Sequence, residues 1–305
     1  MSGKHPRLPE WLRAKTVRRA DTHVLRTSLR AHGLHTVCEE ARCPNAGECF
    51  GDGTAAFLIL GGACTRGCAF CAVTRNAPAP VDPDEPAAVA AQAAALGLRH
   101  VVITSVTRAA LPDGGAAQFA ASIRRVREAL PRATVEVLVP DFAGSGEALD
   151  AVLGAAPDVL NHNVETVRER YAAVRPGAVY ERSIELLHRA ARYKPHAVPP
   201  LRRRGGIKGV VVIKSGLMVG LGETTEQLMA CFRDLREAGV RALTIGQYLR
   251  PRRANIAVAR YYTPAEFEVL AAGARTLGFD AVFAGPLVRS SYHAGETFAT
   301  LSRKT

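Results

Sequence analysis

Six of the seven cysteines in this 305-residue chain fall in two tight triplets, Cys38, Cys43 and Cys49, then Cys64, Cys68 and Cys71. Whatever binds them must be gripped by short lengths of backbone, and that limits the fold more than any hydrophobic pattern. Disulfides suit small secreted scaffolds and not a cytosolic chain of this size. Structural zinc sites use paired knuckles, whereas only Cys68 and Cys71 stand as a C-x-x-C pair. Zinc and redox thiols are the rival readings, and metal clusters fit better. The second triplet follows a predicted strand and the Gly61-Gly62 turn. Three thiolates on so short a loop can hold three corners of a cubane cluster and leave the fourth iron without a protein ligand.

Composition sets the frame for these sites. A 48% hydrophobic, 22% charged chain is ordinary globular material, long enough for one main domain with extensions. It has no apolar run long enough to span a bilayer and no apolar core behind its N-terminus, so a cytoplasmic protein is expected. The formal charge of +12 favours acidic partners through steering. Nucleic acid is not expected, because the basic residues are scattered, Arg202-Arg203-Arg204 being the longest pure run, and aromatics for base stacking are 6%.

From Thr54 the chain alternates short β-like runs with Ala-rich helical stretches, the pattern of repeated βα units on a parallel sheet. Strands are predicted at 56–60, 100–104, 134–139, 158–161, 209–213 and 242–245, with helices near 85–96, 116–130, 146–154, 180–193 and 225–238. Six such units make an α/β fold, a partial (β/α)6 TIM-like barrel. Polar residues gather after the predicted strand ends (Thr104-Ser105, Asp141, Asn161-His162-Asn163, Lys214-Ser215, Gln247-Tyr248), where barrels build their sites. Residues 1–53 lack the alternation and read as an extension held by a metal cluster, 54–262 as the barrel, and 263–305 as a C-terminal extension. That last part opens with a Thr263-Pro264 helix cap and a short strand at 279–283. The Pro- and Arg-rich stretch 194–206 reads as an exposed loop, and Cys231, at an apolar helix position, as a buried inert thiol. His162 alone reads as a structural histidine. Gly216, Gly220 and Gly222 serve either a tight turn or a close backbone approach to a cofactor.

Cys64-Thr65-Arg66-Gly67-Cys68-Ala69-Phe70-Cys71 resembles the C-x-x-x-C-x-x-C loop of radical S-adenosylmethionine enzymes. In that family the open iron chelates the cofactor, and the reduced cluster cleaves it to a 5′-deoxyadenosyl radical. Cys38-Glu39-Glu40-Ala41-Arg42-Cys43-Pro44-Asn45-Ala46-Gly47-Glu48-Cys49 is similar in spacing and wording to lipoyl synthases. With Pro140-Asp141-Phe142, Asn161-His162-Asn163-Val164-Glu165-Thr166, Lys214-Ser215-Gly216-Leu217-Met218, Gly246-Gln247-Tyr248-Leu249 and Arg289-Ser290-Ser291-Tyr292, the resemblance runs from about Trp11 to His293. It implies insertion of two sulfur atoms, at C6 and C8 of a protein-bound octanoyl-lysine, and no acid–base catalytic residue. The implied cofactors are S-adenosylmethionine and two 4Fe-4S clusters, one on Cys64, Cys68 and Cys71, the auxiliary one on Cys38, Cys43 and Cys49. Ser291, the serine before the tyrosine in the C-terminal motif, is implied as the fourth auxiliary ligand, and Asn163 and Glu165 as cofactor contacts. The implied partners are octanoylated lipoyl carrier domains or glycine cleavage H protein, a flavodoxin or ferredoxin reductant, and an iron–sulfur donor.

The chain departs from the family wording at Phe50 (tryptophan usual), Ala109-Ala110 (two aspartates), Gln118 (histidine) and Asn255-Ile256-Ala257-Val258 (His-Leu-Pro-Val), and the connection 194–211 is longer. None of these is a cluster ligand. The rival functions are another sulfur-inserting radical enzyme with a different substrate and a non-catalytic iron–sulfur or RNA-binding protein.

Overall fold

The structure is a computed structural model and describes residues 8–13, 34–40, 43, 45, 48–49, 54–194, 211–292, 294–295, 298 and 301. The expectations for Phe50, for the Arg202-Arg203-Arg204 run and for most of the 194–206 loop lie outside these residues.

Six βα units follow one another from Thr54: β2 (Thr54–Ile59), α1 (Glu85–Ala95), β3 (His100–Ser105), α2 (Ala116–Ala129), β4 (Thr134–Leu138), α3 (Gly146–Gly154), β5 (Val159–Asn161), α4 (Tyr180–Arg192), β6 (Val212–Val219), α5 (Thr225–Glu237), β7 (Ala242–Gln247) and α6 (Pro264–Thr276). A further strand, β8 (Ala281–Gly285), pairs with β7, and β1 (His35–Thr36) pairs antiparallel with β2. The strands lie in sequence order, β2 to β8 all parallel, and among the described residues no ladder joins β8 back to β1. The result is the expected partial barrel.

Alternation of buried strands with one-sided helices builds one core. Phe57, Ile59, Val101, Ile103, Val135 and Val137 on the strands meet Val89, Phe119, Ile123, Val126 and Val152 on the helices, all essentially unexposed. The capping at Thr263 is as expected: its hydroxyl accepts from Glu266 N, Glu266 caps back, and Pro264 opens α6.

β6 differs from expectation. The predicted strand ended at Ile213, yet β6 runs on to Val219 and carries Lys214, Ser215 and Gly216 inside the sheet. Lys214 is fully buried because its Nζ donates to both carboxylate oxygens of Glu136, at 3.0 and 3.3 Å. Polar wording marked the end of a strand only on the assumption that a lysine must face water, and a neutralising carboxylate on β4 removes that need. Gly216 is there for space and not for a turn, since a Cβ would stand 2.2 Å from Thr244 Oγ1. Gln247, expected beyond β7, is likewise buried at its end.

Candidate iron–sulfur and cofactor site

The loop after β2 begins with left-handed backbone at Leu60 (φ 67) and Gly61 (φ 84), which turns the chain across the barrel mouth. It is then pinned on several sides. Thr65 donates through its backbone N–H and its hydroxyl to Thr107 O, at 3.1 and 2.7 Å. Arg66 Nη2 donates to Asp141 Oδ1 at 2.8 Å, and Ala69 N to Val174 O at 2.9 Å. Asn255 Nδ2 donates to the carbonyls of Ala69 and Cys71, at 3.1 and 2.9 Å. Two sulfurs already accept backbone N–H groups, Cys64 Sγ from Thr107 and Cys71 Sγ from Val73, each at 3.4 Å. Such bonds stabilise thiolate over thiol and tune a cluster's potential.

Cys64, Cys68 and Cys71 line a cavity of about 180 Å³ together with Arg66, His162, Asn163, Glu165 and Arg175. Beside it opens a larger cavity of about 530 Å³, whose wall contains Cys38, Cys43, Cys49 and Ser291 as well as Cys71, Asn163 and Glu165. The structure therefore brings every residue expected from the sequence as a cluster ligand or cofactor contact to two adjoining cavities, with Cys71, Asn163 and Glu165 shared between them.

The corner shared by the two cavities follows directly on β5. Asn163 Nδ2 donates to Glu165 Oε1 at 3.1 Å and to Ser290 Oγ at 2.8 Å, while its Oδ1 is buried without a partner. Glu165 holds a left-handed backbone (φ 68), strain that a non-glycine residue sustains only where its surroundings impose it. Burial raises the Glu165 carboxyl, an effect only partly offset by Arg175, Asn163 and Arg289. Arg175, which the sequence reading missed, is buried with its Nη1 on Asn163 O at 2.9 Å and on the Tyr171 hydroxyl. It sits in the unremarkable string Ala172-Ala173-Val174-Arg175, and only its tertiary contact reveals it. His162 is the structural histidine expected, hydrogen-bonded to Val139 O and Ser183 Oγ, both at 2.8 Å; burial, with the nearby Arg175 charge, lowers its pKa to about 4.

The two chain ends are stapled over the larger cavity. Asn45 Nδ2 donates to Leu287 O at 2.6 Å, and the Tyr292 hydroxyl to Glu48 Oε1 at 3.0 Å. This brings Ser291 to the wall that holds the N-terminal cysteines. Cys231 is absent from either cavity. It is buried in α5, and burial pushes its thiol up to about 12, as expected of an inert core cysteine.

Two sets of three thiols around adjoining cavities are donor sets of the chemistry that 4Fe-4S clusters take. Among the described residues no group of three or more His, Cys, Asp or Glu side chains converges tightly enough to hold one metal ion. A cubane presents its irons at separate corners, so its thiolates stand around a space and not on a point. Burial pushes Cys68 up, Cys71 to about 11, and Cys38 and Cys43 upward as well. Iron bound there would displace the thiol protons and be held by thiolates. The unpartnered Asn163 Oδ1, and the space left by Gly216, whose Cβ would stand 3.1 Å from that oxygen, leave a polar cradle beside the cysteine loop.

Residues 58–235 match the model of the radical SAM superfamily, and residues 1–43 that of the N-terminal domain of lipoyl synthase of the same family. A lipoyl synthase of Rubrobacter xylanophilus is 50% identical over 294 residues, covering 96% of this chain and 87% of the relative. One of Symbiobacterium thermophilum is 51% identical over 300 residues, covering 98% and 89%. The chain belongs to the lipoyl synthase family. It is thus a radical S-adenosylmethionine, sulfur-inserting enzyme that uses S-adenosylmethionine and 4Fe-4S clusters. Among solved structures, methylornithine synthase shares the fold, with a TM-score of 0.53 at 14% identity over 85% of this chain and 80% of that one. Among the described residues no helix is long and apolar enough to cross a membrane.

Proposed function

We propose that this member of the family places sulfur at C6 and C8 of an octanoyl group amide-linked to a lysine of a carrier domain, and that its two cysteine sets divide the work. In this reading Cys64, Cys68 and Cys71 hold the cluster with the open iron, and Asn163 and Glu165 contact S-adenosylmethionine. Cys38, Cys43, Cys49 and Ser291 hold the auxiliary cluster. Bound there, these groups supply one-electron cleavage of a sulfonium, hydrogen abstraction from unactivated carbon, and the sulfur itself. The protein's part is positioning. Leu58, Leu138, Leu217, Met218 and Val288 give the larger cavity an apolar wall suited to an alkyl chain and to excluding water.

The observation that carries this reading is the shared cavity, in which Cys38, Cys43 and Cys49 face the same space as Cys71, Asn163 and Glu165. An alkyl chain lying there would reach both sets without leaving the protein. Residues 1–53 then serve as the auxiliary-cluster extension, 54–262 as the radical barrel, and 263–305 as the extension that returns Ser291. The partners are an octanoylated lipoyl carrier domain or glycine cleavage H protein, a low-potential flavodoxin or ferredoxin, and an iron–sulfur donor that restores consumed sulfur, all in the cytoplasm.

Anaerobic reconstitution, iron and sulfide counting, and turnover of an octanoylated carrier test this reading. Two clusters per chain and a lipoyl product are expected. Cleavage of S-adenosylmethionine with the octanoyl chain unchanged would assign a different substrate. Failure to cleave it at all would point to a non-catalytic iron–sulfur protein.

A further inference from the structure

The turn that follows β7 leaves the sheet at the rim of the larger cavity. Leu249, Arg250 and Pro251 line that cavity, and Arg252, Arg253 and Ala254 stand out into solvent beside it. The turn is firmly held. Arg250 Nε donates to Asn255 O at 2.8 Å and its Nη2 to Arg253 O, while Asn255 N donates to Arg252 O at 3.0 Å. Ile256 N donates to Ala69 O at 3.0 Å and the Tyr248 hydroxyl to Ile256 O at 2.8 Å, and the Asn255 side chain reaches the cysteine loop. Two guanidinium groups are thus presented on a turn braced by the loop of Cys64, Cys68 and Cys71.

Those two groups are uncompensated. Some exposed arginines have carboxylates, Arg189 with Asp150, Arg260 with Glu266, and Arg168 with Glu181 and Asp234, and others, Arg99, Arg132 and Arg275 among them, have none; what sets Arg252 and Arg253 apart is their place at the cavity rim. Arg252 and Arg253 pair with no carboxylate among the described residues. Unpaired charge at the lip of an apolar cavity contributes little to stability, but it can steer and orient a charged partner whose substrate arm must pass that lip.

We infer that Arg252 and Arg253 form a docking surface for an acidic, folded carrier protein, which presses its face against this turn as its modified lysine enters the cavity. The inference rests on the reading that the substrate is carrier-bound. Nucleic acid suits the surface less well, because Trp11 is the only exposed aromatic among the described residues and no stacking platform lies on this turn.

The test compares wild-type holoenzyme with R252E/R253E and the charge-keeping R252K/R253K. One measurement is affinity for an acidic octanoylated carrier domain by fluorescence anisotropy at several ionic strengths. Another is turnover of that carrier and of a short octanoyl-lysine peptide. R252E/R253E should lose about tenfold or more in carrier affinity at low salt. The gap should narrow as the Debye length falls from about 30 to about 8 Å. Peptide turnover should hold, and R252K/R253K should behave as wild type. Unchanged carrier affinity and salt slope in R252E/R253E would overturn the proposal, and so would an equal loss on the peptide. RNA binding lost in that variant with carrier affinity intact would overturn it in favour of a nucleic-acid surface. Failure of the wild type to modify either octanoyl substrate would instead refute the functional reading, and the affinity comparison would still decide the docking surface.

Discussion

Asn163 donates to Ser290 Oγ at 2.8 Å across 127 positions of sequence, so of two adjacent serines in the C-terminal motif one is tied to the end of β5. Both serines line the cavity that holds Cys38, Cys43 and Cys49, but only Ser290 is tied to Asn163. The two serines therefore carry different expectations. Ser291→Ala should keep the iron count of two clusters while losing sulfur insertion, and Ser291→Cys should assemble a cluster that turns over poorly, a thiolate being a softer and less labile ligand. Ser290→Ala should leave auxiliary iron unchanged and instead weaken S-adenosylmethionine binding by freeing Asn163. Sulfur insertion and cofactor affinity, measured for all three, decide between them; loss of sulfur insertion with cofactor affinity intact in Ser290→Ala, and the reverse in Ser291→Ala, would exchange the roles.

Alanine at Cys64, Cys68 or Cys71 should abolish formation of 5′-deoxyadenosine, because the electron source and the chelating iron go together. Alanine at Cys38, Cys43 or Cys49 should spare part of that cleavage while eliminating lipoyl product. The two products are quantified side by side in folded protein. Equal loss of both in both sets would refute the division of labour.

The Glu136–Lys214 pair joins β4 to β6 in the barrel interior. Burial alone would raise the Glu136 carboxyl, but Lys214 and then His100 outweigh it and hold it at about 2, below its ordinary 4.5. A carboxyl depressed on folding contributes stability that is complete above pH 4.5 and is lost as pH falls from there towards 2. Glu136→Gln strands a buried ammonium and should cost about 3–5 kcal/mol at neutral pH in urea unfolding, whereas the double change Glu136→Leu, Lys214→Met should cost much less. If the single variant were no worse than the double one, the pair would not be acting as a buried ion pair.

Asn255→Ala leaves the carbonyls of Ala69 and Cys71 without their side-chain donor, a loss of about 1–3 kcal/mol to the local structure of the cysteine loop. Because this loop holds the proposed radical cluster, a chelator should strip iron from that site several-fold faster in the variant, with auxiliary iron unaffected. Identical chelation rates would mean that the remaining anchors, Arg66 on Asp141 and Thr65 on Thr107, suffice.

The features legible in the sequence were local ones. The cysteine spacings, the alternation of strand and helix from Thr54, and the Thr263-Pro264 cap each sit within a few residues, where backbone geometry and ligand reach tie pattern to structure. They were enough for the family and the six-unit barrel, and they named the cysteines proposed for the clusters. What the tertiary structure alone decided lies in contacts that neighbouring residues cannot encode. Lys214 could stand mid-strand only because Glu136 waits on another strand, and Arg175 holds the Asn163 carbonyl from a stretch with no motif. The hydrogen bond from Asn163 to Ser290 spans 127 positions, and the turn of Arg252 and Arg253 is braced at the cavity rim by its bonds to the cysteine loop. Burial and charge pairing are properties of the folded surroundings, so one-dimensional wording can name these residues but cannot assign them their partners.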